Sequence, residues 1–526
     1  MCLKIFCEYD NIISENQKKK MKGMNLIMKK LKEELKYGKK GITLISLVVT
    51  IIVLLMLAGI TINMLLGENG LLNRATDATE EYSKAEAKEK VELLLSEYVI
   101  DKATGENEDL AIFLRKNLQV GVAENEDNTY SFILGEWQVL TYENKVISIE
   151  KFKLDVDKTY PNVANMKADT ELTDGQLVQT ESYWDKQYGG SAYYDIVSST
   201  SLAVDDGKCI QLDNGLYAEL HPINNTVNVN QFGAYGDGEH DDANSIQLSL
   251  NAGYRNVTFE SERYKFGKNI KLTTDNVFVL GNNATLFWDE SITTPWEQIG
   301  ISGTSEKHVQ NINISYLNFE NGDISVIEDP GESIQLRGSY CDNVEISNCN
   351  FNIYEINGNK SRQVTNLWFH VGWQDVTVQD CEFRNLTNGN VGGNIWLSGF
   401  ASNSDYASRN AVIKNNYIEK SCHDESIAVW AGYVDNVIIQ ENEIYIHEEN
   451  VDDRSTMNFT FGSQLDGGVV SNIYFMNNNV QCESKESFAY ITGEEGSKNI
   501  YIEQNTIEYS LFSNDEIEYR NFYCYK

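Results

Sequence analysis

Basic residues are scarce in this chain. Only 43 Lys and Arg stand against 78 Asp and Glu, a formal net charge of −35 over 526 residues. Residues 1–41 hold 11 lysines and 5 acidic residues, so the remainder carries 32 basic and 73 acidic side chains, a net charge of −41. A surface of that sign repels nucleic acid and anionic lipid, and it argues against long polyanions such as pectate as substrates. Cysteine is thin as well. Nine Cys, two of them at Cys2 and Cys7, exclude a disulfide scaffold, and no pair shows metal-ligand spacing. No A-x-A cleavage site follows the apolar run near the N-terminus, which excludes an ordinary secretory signal. At this length more than one domain is expected.

That apolar run is residues 42–66, ITLISLVVTIIVLLMLAGITINMLL, without a charge and directly preceded by Lys39-Lys40-Gly41. As a helix rising about 1.5 Å per residue it crosses about 30 Å of hydrocarbon. The lysines from Lys18 to Lys40 place the N-terminus in the cytoplasm and the rest outside the cell. Met24 and Met28 are alternative starts, the second leaving a compact leader of residues 28–41. A basic stretch, Gly41 and an uncleaved apolar helix resemble the type IV prepilin leader. The resemblance implies cutting between Gly41 and Ile42 by a prepilin peptidase, with other pilins as partners. At the fifth mature position pilins carry Glu, and Ser46 stands here instead, which weakens the case for a fibre but not for cleavage.

From Glu68 to Lys102, apolar Ala75, Ala78, Tyr82, Ala85, Val91, Leu94, Leu95 and Tyr98 recur every three or four residues, the period of an amphipathic stalk helix. Residues 108–118 predict a short helix. Residues 130–134, 137–142 and 146–149 predict strands, with Glu143, Asn144 and Lys145 turning the last pair. The units so delimited are a leader (1–41), a membrane and stalk helix (42–102), a small pilin-like head (103–152), a strand-rich adaptor (153–225) and a final domain (226–526).

The final domain is repetitive. NINISYLNF (311–319), NVEISNCNF (343–351), DVTVQDCEF (375–383), NAVIKNNYI (410–418), NVIIQENEI (436–444), NIYFMNNNV (472–480) and NIYIEQNTI (499–507) each give two apolar residues two apart, a polar turn and a closing apolar residue. Units of this length stack coil on coil. The columns run Ile314, Ile346, Val378, Ile413, Ile439, Phe475, Ile502, and Phe319, Phe351, Phe383, Ile418, Ile444, Val480, Ile507. Between them Asn416, Asn442, Asn478 and Asn505 form an asparagine ladder that Leu317, Cys349 and Cys381 begin, which makes the two Cys interior stack residues. The expected fold is mainly β: a right-handed parallel β-helix preceded by the membrane-spanning pilin-type helix and small α+β and β units. The segment VNVNQFGAYGDGEHDDANSIQLSLNAG (227–253) resembles the opening of the pectate-lyase-like superfamily, which includes polygalacturonases, and residues 160–222 resemble the segment preceding it in tail-spike-type proteins. Asp241 and Asp242 read as helix N-terminal carboxylates.

GESIQLRGSYCDNVEIS (331–347) and DESIAVWAGYVDNVIIQ (424–440) match without a gap at an offset of 93, which stacks Glu332 on Glu425 and Ile334 and Leu336 on Ile427 and Val429. Period-two geometry then turns Arg337, Trp368, His370, Trp396, Ser398 and Trp430 outward, beside Glu332, Asp424 and Glu425. Indoles stack on sugar rings, and carboxylates bind hydroxyls or serve as acid and base. The candidate catalytic set is Asp424, Glu425, Glu332, His370 and Arg337. Trp368, Trp396, Trp430, Gln335 and Tyr433 are the candidate substrate contacts. His423-Asp424-Glu425 resembles the Gly-Asp-Asp segment of polygalacturonase-type glycoside hydrolases, but their Asn-Thr-Asp, Gly-His-Gly and Arg-Ile-Lys motifs are missing, so that mechanism is not inherited. Two readings stay open: a cell-surface hydrolase or lyase acting on polysaccharide, or a carbohydrate-binding adhesin or pilus-tip subunit without catalysis. Neither a metal nor another cofactor is expected, except Ca2+ under the lyase reading.

Overall fold

The computed structural model describes residues 71–104, 109–288, 297–321, 333–354, 364–386, 392–399, 407–422, 425–447, 457–463, 468–483, 487–492, 497–510 and 523–525. Residues 42–66, with the Gly41/Ile42 junction and Ser46, lie outside them. Among the described residues no helix is long and apolar enough to cross a membrane. The chain divides into units 1–86 and 87–526.

Helix α1, Leu71–Thr104, buries Ala87, Val91, Leu95 and Tyr98, spaced four, four and three residues apart. Tyr82 and Ala85, expected on the buried stripe, are exposed, because the stripe follows Ala87 rather than its neighbour two residues back. Helix α2, Leu110–Leu118, starts at Asp109, whose carboxylate accepts the amides of Ala111 and Ile112. An antiparallel sheet of Val122–Glu124, Thr129–Leu134, Trp137–Tyr142 and Lys145–Lys151 packs Phe132, Trp137, Val139 and Ile149 against both helices. The first of these strands is one that the alternation of residues did not predict. Five further strands between Lys158 and Leu220 form a second sheet, and its residues Val178, Tyr194 and Ile210, with Met166 of the short helix Val163–Lys167, run continuously into the core of the repetitive domain.

That domain is a parallel β-helix of three stacks. Strands such as Cys341–Ser347, Gln374–Gln379 and Ser408–Lys414 make the first, and Asn350–Ile353, Glu382–Asn385 and Tyr417–Lys420 the second. The two are joined, among the described residues, in one 18-stranded sheet by the long strands Val277–Trp288 and Val309–Glu320. Among the described residues the third stack has nine strands, including Glu297–Ser302, Ser333–Ser339, Val364–Val371, Ile395–Gly399, Ile427–Gly432 and Met457–Gly462. Both expected interior columns hold throughout: Ile314 pairs with Ile346, then Val378, Ile413, Ile439, Phe475 and Ile502, and Phe319 starts the parallel run to Ile507. The rings of Phe319, Phe351 and Phe383 stack with centroids 4.7 Å apart, the spacing of neighbouring strands.

The asparagine ladder closes the turn between the first two stacks. Asn442 donates to Ile413 O at 3.0 Å and Asn478 Oδ1 at 2.9 Å, while its own Oδ1 accepts the backbone and side-chain N–H of Asn416. Asn416 begins the same pattern by accepting the amide of Cys381, whose thiol is buried and free, as is that of Cys349. A second, exposed ladder escaped the sequence reading: Asn311, Asn343, Asp375, Asn410, Asn436, Asn472 and Asn499 all have φ between 53° and 59°, a region that Asn tolerates best after Gly. At the opening of the domain Asp241 caps helix Ala243–Asn251 through the Ala243 amide. Asp242, expected to do the same, instead accepts the amides of Tyr235 and Gly236, because the turn at Gly236 folds back over it, and burial raises its pKa to about 7.

Replacing Asn442 by Ala leaves the Asn416 amide and the Ile413 carbonyl buried without partners, at about 1–3 kcal/mol each. Urea denaturation of Asn442→Ala should show a loss of roughly 3 kcal/mol or more, and a loss under about 0.5 kcal/mol would contradict the ladder's role.

Candidate functional site

The outer face of the third stack gathers the unusual side chains. Its strand pairs set the columns: Gly300, Arg337, Trp368, Trp396, Ala428 and Thr460 share one, and Ser398, Trp430 and Gly462 share the next outward one. The inward column is Ile299, Leu336, Leu367, Ile395, Ile427 and Phe459. Leu336, not Ile334, therefore lies in the column of Ile427, and the ungapped offset of 93 is two residues out along this stack. Two β-bulges account for the two residues. Gly338 pairs with Phe369 but Ser339 with Val371, leaving His370 extra, and Ser398 pairs with Trp430 but Gly399 with Gly432, leaving Ala431 extra at φ 59°. A shift of two preserves which residues face out, so Arg337, Trp368, Trp396 and Trp430 keep their side while their column partners change.

Continued through Ile334, Thr365 and Gly393, the column of Glu425 leads to Glu297, a carboxylate that the sequence reading missed. Glu332 and Asp424 lie outside the described residues. Glu297 is buried and accepts a 3.4 Å hydrogen bond from Arg337 Nη1. Gly300 makes room for it, since a Cβ there would stand 2.6 Å from Glu297 Oε1. The other arm of Arg337 reaches His370 Nδ1 at 2.8 Å. A guanidinium only donates, so Nδ1 must accept, and the imidazole is neutral. Burial first, and the Arg337 charge second, push the His370 pKa down to about 4.

The three indoles sit together as expected, but not as open platforms. Trp368 is 5% and Trp396 2% exposed, in a cluster with Ile334 and Ala428 that is separate from the interior core, and Trp430 packs half-buried beside it. They meet edge to face at 5.5 Å and 6.0 Å. Trp368 Nε1 donates to Ser398 Oγ, which donates to the His370 carbonyl. Gly393 leaves space for Trp396, whose Nε1 would otherwise be 2.3 Å from a Cβ. Outward parity places a side chain outside the core without keeping it in solvent, so sugar stacking on Trp368 and Trp396 is corrected to a packing role.

Gln335 is corrected too. It is buried in the wall, donating to Asn352 O and accepting from Asn366, in a second interior amide ladder that continues through Asn394 to Ser426. A polar residue directly before each inward aliphatic was the readable signal. Tyr433 follows the second bulge, half-buried. Glu425 accepts from Thr460 Oγ1 at 2.8 Å, and its carbonyl lies 3.4 Å from Trp396 Nε1.

Glu297 and Glu425 stand four coils apart, about 19 Å at the usual strand spacing. Paired carboxylates that cleave glycosides are about 5–9.5 Å apart, so these two are not one acid/base pair. Among the described residues no cluster of three or more His, Cys, Asp or Glu side chains is arranged to hold a metal ion.

No known protein family and no curated protein matches this chain. Similar solved structures include the enzymatically active domain of tailspike protein 2 from bacteriophage CBA120, 12% identical with a TM-score of 0.46 over 67% of this chain and 52% of that one. A tailspike from Acinetobacter baumannii bacteriophage Fri1, described as a capsular polysaccharide depolymerase, is 14% identical with a TM-score of 0.40, over 69% of this chain and 77% of that one. Pantoea stewartii WceF, described as a glycan biofilm modifying enzyme with a tailspike-like parallel β-helix fold, is 12% identical with a TM-score of 0.37, over 75% and 57%. This chain spans about half the length of the first of these, and likenesses so distant carry no residue role across.

Because the folded state holds His370 neutral, its stabilising contribution is complete above about pH 6.5, the unfolded pKa, and is lost as pH falls toward 4. Arg337→Met should raise the His370 pKa, read from its ring resonances by NMR, and destabilise the fold by roughly 3–5 kcal/mol through the unpaired Glu297. An unmoved His370 titration would show that burial alone sets it.

Proposed function

We propose that this chain acts on an extracellular polysaccharide lying along the outer face of the third stack, with Trp430 as the sugar contact and Glu425 as an acid or base. The observation that carries the reading is the rigid indole cluster on that face, flanked by Glu425 at one end and by the Glu297–Arg337–His370 chain at the other. Rigid aromatic and polar groups give a glycan little to reorganise on binding. Asp424, the neighbour of Glu425 in sequence, is its proposed partner, since cleavage of a glycosidic bond takes a pair of carboxyl groups. Two of the similar structures bear names that describe action on polysaccharide or biofilm glycan, but the reading rests on this chain's own face. Non-catalytic glycan binding is the second reading, supported by Glu297 being engaged by Arg337 and remote from Glu425.

The full chain should release reducing ends from one member of a panel of neutral and acidic polysaccharides. Glu425→Gln should lower that release by about a hundredfold while binding stays intact, and Trp430→Ala should weaken binding. Binding without release across the panel would establish the second reading.

The proposal extends to the N-terminus. Residues 42–66 anchor the chain in the membrane after pilin-type cutting, with the β-helix outside the cell. Edman sequencing of the mature protein should begin at Ile42, and an intact leader would leave a plain anchor helix.

A further inference from the structure

Of the seven tryptophans among the described residues, five are buried, Trp430 is half-buried, and Trp184 alone is exposed, at 40%. It lies far from the third stack in sequence, in the loop between the second and third strands of the adaptor sheet. Its ring stacks on Tyr235, with centroids 5.1 Å apart and planes 8° apart, and Tyr235 stacks in turn on His240 at 4.0 Å. Tyr188 closes edge-on against Tyr235 at 5.0 Å. Trp184 Nε1 donates to the Gly233 carbonyl at 2.9 Å, and His240 is held by Asp237 at 2.7 Å, so both ends of the stack are fixed in orientation. The result is an exposed, immobilised aromatic surface with the carboxylates of Asp185 and Asp237 beside it.

We propose that this stack is a second glycan-binding site, taking the C–H face of a neutral pyranose on Trp184 with its hydroxyls donating to the flanking carboxylates. An immobilised aromatic ring loses little rotamer entropy on binding, and a carboxylate is the strong acceptor that a hydroxyl seeks. The acidic rim and the net charge of −35 select against acidic glycans. His240 belongs to strand Asp237–Asp241, which pairs with Arg263–Phe266 in the second stack, so the site is separate from the Trp430 face and does not depend on cleavage at Glu425.

The test uses the full chain with dextran, a mannan and a galactan, and polygalacturonate as the acidic control. Among the described residues Trp184 is the indole most open to acrylamide, so a bound neutral glycan should shield a quenchable fraction of the fluorescence that Trp184→Ala lacks. Trp184→Ala should weaken binding at least tenfold. Trp184→Tyr, which keeps a ring but not the bond to Gly233, should stay within about threefold, and polygalacturonate should give no protection. Unchanged quenching with every neutral glycan would overturn the site. So would equal losses in both variants with a lowered Tm, since the ring would then be a fastener between adaptor and β-helix. Complete loss of binding in Trp430→Ala would overturn it as well, by assigning all binding to the third stack, whereas failure of glycan release alone touches only the reading at Glu425.

Discussion

Everything in the C-terminal domain depends on amide side chains that bond from one coil to the next inside the wall. A tight interior turn buries backbone groups that no strand partner can reach, and each costs free energy unless it is bonded. Asn416, Asn442 and Asn478 supply those bonds at the turn between the first two stacks, and Gln335, Asn366 and Asn394 do the same before the third. An amide both donates and accepts, so identical side chains in register satisfy one another indefinitely, and slipping one coil breaks the whole column. The ladders thereby impose the register that the aliphatic and phenyl columns only favour.

With register imposed, the outer face becomes an address system. Side chains two apart project to the same side, and neighbours on adjacent coils meet at strand spacing, which brings Glu297, Arg337 and His370 together from three coils. The bulges at His370 and Ala431 then re-aim the end of the face without disturbing the interior. His370 owes its position against Arg337 to being the residue without a counterpart on the coil below.

Much of this was legible. The first two stacks were read correctly because the seven units run from first strand through turn to second strand without insertion, so equal spacing is equal register. The third stack was misaligned by two because its two bulges cannot be told from ordinary strand residues in one dimension. Gln335 was read as a substrate contact because an outward polar residue and an inward one bonded to its neighbours look alike until the columns are known. Trp368 and Trp396 were placed on the right face but with the wrong exposure, since packing between coils and not strand parity decides how much water an indole sees.

By itself the sequence determined seven of the stacked coils, their interior columns, the first amide ladder and the acidic surface, because each rests on residues close in the chain or repeating at a regular interval, while the coils that start at Thr226, Asn256 and Val277 carry no such repeat. Only the tertiary structure decided that Glu297 meets Arg337 across 40 residues, that Gln335 is wall and not groove, and that, among the described residues, Trp184 is the indole left in solvent. Those facts are set by which coils stack and what covers them, and no local spacing of residues carries that information.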